Sequence, residues 1–74
     1  MRLVDYEILV TQLNPPIGKW GLFAAKVQFL KVNTDDGIKD FASTFGERIA
    51  ETEAEAREKL KIEVNQWIAE NIDN

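Results

Sequence analysis

The chain reads as an α+β domain in which a three-stranded antiparallel sheet is followed by one long C-terminal helix packed on one face, in the order β-β-β-α. Three observations predict it. Residues 3 to 32 hold two runs with a two-residue apolar period; residues 33 to 37, Asn-Thr-Asp-Asp-Gly, form a turn before a third extended run; and residues 51 to 72 switch to a helical period. At 74 residues the chain has room for one core, so residues 1–74 are expected to be a single domain.

In the first run, residues 3 to 13, Val4, Tyr6, Ile8 and Val10 fall on one face and Asp5, Glu7, Leu9 and Thr11 on the other. Pro15 and Pro16, with Gly18 and Gly21, predict a loop over residues 14 to 21, because proline donates no ladder hydrogen bond. Residues 22 to 32 resume the alternation. Phe23, Ala25, Val27 and Phe29 face the core, while Leu22, Ala24, Lys26, Gln28 and Leu30 face outward. The turn at 33 to 37 leads to a third strand at about 38 to 50, with Phe41, Ser43 and Phe45 inward and Gly46 able to reset the register near Ile49.

Thr52 and Glu55 have the spacing of a reciprocal capping box, so the helix is expected to start there and to run to about residue 71. Ala56, Leu60, Val64, Trp67, Ile68 and Ile72 share its apolar stripe, and Ile62 lies nearly opposite. Glu53 with Arg57, and Glu55 with Lys59, are four-apart pairs in the favourable acid-first order.

Composition narrows the chemistry. Cysteine and histidine are both absent, which removes disulfides, thiolate nucleophiles, zinc-finger ligand sets and imidazole acid-base catalysis. The carboxylates sit in turns or on a solvent-facing helix surface, Ser43 has no histidine to activate it, and Asp35–Asp36 lack further oxygen ligands. The expectation is a protein without enzymatic activity, catalytic residues, metal or cofactor. With neither a leader-like segment nor an apolar run long enough to span a bilayer, a cytoplasmic location is expected.

The net charge is -4, and its placement matters. Through Gly46 five acids balance five bases; from Glu47 onward eight acids face four bases. Such a chain has no general attraction for a polyanion.

The junction "FGERIAETEAEAREKL", with Thr52, Glu55 and Ala56, resembles the strand-to-helix junctions of three small β-β-β-α families. They are the HicB-like antitoxin domain, the arm-type DNA-binding domain of tyrosine recombinases and the double-stranded-RNA-binding domain. The resemblance covers about a dozen residues, and Gly46 stands six residues before Thr52 rather than two. It implies a β-β-β-α fold and, for the latter two families, contact with nucleic acid. RNA-binding domains of that type carry lysines at the helix start to hold phosphate, where this chain has Glu51, Glu53 and Glu55. A recombinase-like contact uses the outward sheet face instead, with Lys19, Lys26, Gln28 and Arg48 as nucleic-acid-binding candidates and Trp20 beside them.

The outward face also carries Leu9, Leu13, Leu22, Ala24 and Leu30, an apolar strip that the helix does not cover. The expected function is therefore a protein-interaction module that binds a protein partner, or a second copy of itself, through the outer sheet face or a sheet edge. Leu9, Leu22 and Leu30 supply apolar area; Trp20, Lys26 and Gln28 supply selectivity. Tryptophan is usually mostly buried, so Trp20 is expected to fold back on the end of the sheet. A variant of this reading is a phage or mobile-element inhibitor acting through Glu51, Glu55, Glu58 and Glu70 on the helix.

Overall fold

The computed structural model describes residues 1–72. Four strands, a short 3-10 turn and a helix follow one another: β1 (Arg2–Ile17), β2 (Gly21–Thr34), β3 (Gly37–Asp40), a 3-10 turn (Ala42–Thr44), β4 (Arg48–Ala50) and α1 (Glu53–Asn71). All strand pairs are antiparallel. β2 is central, with β1 on one side and both β3 and β4 on the other. The chain is α+β, an antiparallel sheet with one long C-terminal helix, as its periodicities predict.

The third extended run divides in two. β3 pairs with the C-terminal end of β2, Lys31 opposite Asp40, whereas β4 pairs with its N-terminal end, Phe23 opposite Ala50. Asp40 causes the break. Its Oδ1 accepts the N–H of Ala42 at 2.9 Å and that of Leu30 at 3.1 Å, which ties the start of the 3-10 turn to β2. These two N–H groups, with Lys31 assisting, hold the Asp40 carboxyl below the usual carboxylate range. The turn also displaces the inward set, so that Ser43 is exposed while Phe41 and Phe45 are half-buried.

The first two strands are longer than the alternation suggests. Residues 14 to 17 belong to β1 although they include both prolines; Pro15 and Pro16 fall in the irregular stretch between Gln12 and Ile17, where β1 has no paired residue in β2, so neither is asked for a ladder hydrogen bond. The hairpin turn is confined to Gly18, Lys19 and Trp20, with Ile17 opposite Gly21. Gly18 takes φ +67°, and a Cβ on Gly21 would lie 2.2 Å from the Ile17 carbonyl oxygen. At the β2–β3 turn positive φ falls on Gly37 alone, at +106°, and the Thr34 hydroxyl donates to the Gly37 carbonyl at 2.8 Å.

Two bulges set which residues face the core. Leu3 opposes Val32 and Asp5 opposes Lys31, leaving Val4 extra in β1; Glu7 opposes Phe29 and Ile8 opposes Val27, leaving Gln28 extra in β2. Each extra residue shifts the alternation by one. Leu30 and Val32 thereby turn inward and are fully buried, and Phe29 turns to the outer face with the Lys31 ammonium 5.2 Å from its ring centre. The expected orientations of Leu30 and Phe29 are thus exchanged.

The core lies between the sheet and α1. Ile8, Ala25, Val27, Leu30, Val32 and Ala50 meet Ala56, Leu60, Val64 and Ile72. The Thr52 side chain caps the helix by accepting the Glu55 N–H at 3.1 Å. At the other end Trp67 packs against Phe41 at a tilt and Phe45 edge to face, with ring centres 5.2 and 6.1 Å away. The molecule measures 45 × 18 × 14 Å, against about 28 Å for a 19-residue helix. The β1–β2 hairpin therefore extends beyond α1.

Candidate protein-interaction surface

The strand register defines the sheet face turned away from α1. Its rows are Thr11 beside Ala24 beside Ile49, then Leu9 beside Lys26, Glu7 beside Phe29, and Asp5 beside Lys31. Leu13 and Leu22 continue it toward the hairpin tip. Leu9, Leu13, Leu22 and Phe29 are half-buried, and Ile49 is 37% exposed. Apolar groups form the half near the tip; charged groups of both signs form the other half. Val4, the bulged residue, adds an apolar side chain at that far end and is itself exposed.

Of the residues expected to bind a partner, Leu9 and Leu22 lie on this face with Lys26, and Gln28 is exposed in its bulge. Leu30 leaves the set, being core. Trp20 is 66% exposed at the hairpin turn rather than folded back on the end of the sheet. Ile17 is exposed on the same tip, in a segment whose prolines predict a loop. With Trp20, Ile49, Glu51, Glu55 and Lys59 it lines an open groove of about 430 Å³ between the tip and the start of α1.

The basic candidates separate. Lys19 and Lys26 are exposed, but Arg48 sits opposite Ala25 on the helix side of the sheet and pairs through two guanidinium nitrogens with the Glu63 carboxylate. That carboxylate holds the guanidinium above its ordinary pKa. Arg48 is engaged in this partly exposed ion pair on the helix side and drops out of a basic sheet face. The remaining lysines share that face with Asp5 and Glu7, so no single-sign field forms there.

The two outer edges of the sheet differ in how they are guarded. Lys59 donates to the Ile49 carbonyl of β4 at 3.2 Å. On β1, Arg57 donates to the Ile8 carbonyl at 3.1 Å and Asp5 Oδ1 accepts the Tyr6 N–H at 2.9 Å. Around the Arg57 contact an open notch of about 270 Å³ is lined by Tyr6, Glu7, Ile8, Arg57 and Lys61.

No helix among the described residues is long and apolar enough to cross a membrane. No family model, curated protein or solved structure matches the chain.

Proposed function

We propose that this protein is a non-enzymatic protein-interaction module whose contact surface is the outer sheet face together with the β1 edge that borders it, and whose favoured partner is a second copy. The observation that carries this reading is the contiguity of Leu9, Leu13, Leu22 and Ile49 on the face that α1 leaves uncovered. Clustered apolar side chains of this kind gain by being removed from water, at roughly 25 cal/mol per Å² buried. Trp20 and Ile17 at the tip extend the same surface, and exposed tryptophan is enriched among residues that anchor interfaces.

Nucleic-acid binding is the lesser reading. It relies on Lys19, Lys26 and Gln28 without Arg48, on a face shared with Asp5 and Glu7, in a chain of net charge -4. The two readings separate in one experiment. Solution mass is measured by light scattering over a concentration series at low and high salt, for the wild type and for Leu9→Glu. The interaction reading expects association that salt leaves intact and that Leu9→Glu reduces at least tenfold. Monomers at every concentration, or association abolished by salt, contradict it.

A further inference from the structure

We infer that the second copy joins through a short open window of the β1 edge, Leu9–Leu13, by antiparallel pairing centred on Thr11; this rests on the interaction reading above and names its geometry. The two β1 contacts already described show which backbone groups point out of the sheet. The Tyr6 N–H is taken by the Asp5 side chain and the Ile8 carbonyl by Arg57, so the even-numbered residues of this stretch turn their N–H and C=O groups away from β2. From Ile8 to Gln12 the register against Val27 to Phe23 is one for one. Val10 and Gln12 therefore also point their backbone groups outward, and no protein group among the described residues is bonded to them.

The protection of this edge is local. The Val4 bulge, Asp5 and Arg57 block it up to Ile8, and Pro15 and Pro16 remove two donors beyond Asn14. Between them no side chain among the described residues bonds to the edge. Edge strands left open in this way template the addition of another strand.

The window is complementary to itself in one register. Centring a two-fold axis on Thr11 sets Val10 opposite Gln12 of the other copy and Gln12 opposite its Val10, each pair exchanging both N–H···O=C bonds. Leu9 then faces Leu13 on the outer face, and Thr11 faces its own copy. Glu7 opposes Pro15 and Asp5 opposes Ile17, so no like charges meet. Moving the centre to Leu9 or Val10 would require the Ile8 carbonyl that Arg57 already occupies; moving it to Gln12 would set Leu9 against Pro15. The Thr11 register takes its hydrogen bonds from the free groups of Val10 and Gln12 alone, because Ile8, which falls opposite Asn14, keeps its carbonyl on Arg57; it joins the two sheets into one, with the two Arg57–Ile8 contacts about 20 Å apart, six residues along the strand.

The chain contains no cysteine, so one introduced thiol gives a clean test. Thr11 pairs with its copy at a non-hydrogen-bonded position, where Cα atoms lie about 4.5 Å apart, inside the range a disulfide spans. Under oxidised glutathione at micromolar protein, Thr11→Cys should form a covalent dimer at least about tenfold faster than Lys19→Cys at the hairpin tip, because association raises the local thiol concentration. Two further variants locate the contact. Gln12→Pro removes an outward N–H and should weaken association at least tenfold, while Ile62→Glu, on the exposed side of α1, should leave it intact. Should Gln12→Pro fail to fold, Thr11→Lys sets two ammonium groups opposite each other and should dissociate the pair in low salt. Equal cross-linking rates, with association kept in Gln12→Pro, overturn the edge geometry but leave the interaction reading standing. A monomer at every concentration overturns both.

Discussion

The Arg57 guanidinium, rooted in α1, donates to the Ile8 carbonyl of β1 at 3.1 Å and so closes one position of the sheet's free edge with a helix side chain. The same guanidinium stands 3.8 Å from the Glu53 carboxylate one turn earlier. A charged stem lying across an edge is a recognised way to stop uncontrolled strand addition. Replacing Arg57 by Ala should cost about 1 kcal/mol for the lost hydrogen bond. It should also open the Ile8 carbonyl, so that light scattering detects species larger than those of the wild type at equal concentration.

Leu30 and Leu9 separate core from surface. Leu30 is fully buried opposite Tyr6, so Leu30→Ala should lower stability by about 2–5 kcal/mol. Leu9→Ala, on the uncovered face, should change the stability of the monomer by less than about 1 kcal/mol. Urea denaturation monitored by circular dichroism in dilute solution measures both, and equal losses would place Leu9 in the core.

The hairpin tip depends on a glycine for space. A Cβ at position 21 would meet the Ile17 carbonyl oxygen at 2.2 Å and the Ile17 Cβ at 3.0 Å. Gly21→Ala should therefore force the strands apart at the tip and cost about 1–3 kcal/mol. Gly37→Ala meets no atom within 4 Å, so its cost comes from the φ of +106° alone, about 1–2 kcal/mol. Thermal melts of the two variants test this, and amide exchange should rise near Ile17 in the first and near Thr34 in the second.

Asp40 ties the acid stability of the fold to the break between β3 and the 3-10 turn. Its carboxyl is held below the value it has in the unfolded chain, near 3.8, by the Ala42 and Leu30 N–H groups. A depressed folded-state pKa contributes stability above the unfolded value and loses it as the pH falls through the folded one. The wild type should thus be more stable than Asp40→Ala at neutral pH, with the gap closing below about pH 4. A gap that persists at lower pH would mean that the ionised carboxylate is not what stabilises the turn.

The helix, its Thr52 cap and the inward set Ile8, Val27, Leu60 and Val64 follow directly from periodicity, because these residues lie within α1 or in the parts of β1 and β2 that the bulges leave in a fixed spacing. The exchange of Leu30 for Phe29 does not. It depends on one extra residue at Gln28, and nothing local distinguishes a bulged glutamine from a paired one. The break at Asp40 escapes periodicity for a similar reason, since it rests on a side-chain acceptor meeting N–H groups from two elements. Arg48 looks like a surface base in a linear reading; only the antiparallel pairing that puts it beside Ala25 brings it under α1 to Glu63. The apolar half of the outer face was legible through Leu9, Leu13 and Leu22. The exposure of Ile17 and Trp20 was not, because the prolines suggested a loop where an edge strand continues.

The most direct test of the account is the solution mass of the wild-type chain and of Leu9→Glu by light scattering over a concentration series, in low and in high salt. The account predicts a wild-type dimer that persists in high salt, and a Leu9→Glu chain that remains folded and monomeric. A wild type that stays monomeric throughout, or an association that high salt abolishes and Leu9→Glu leaves untouched, would contradict it.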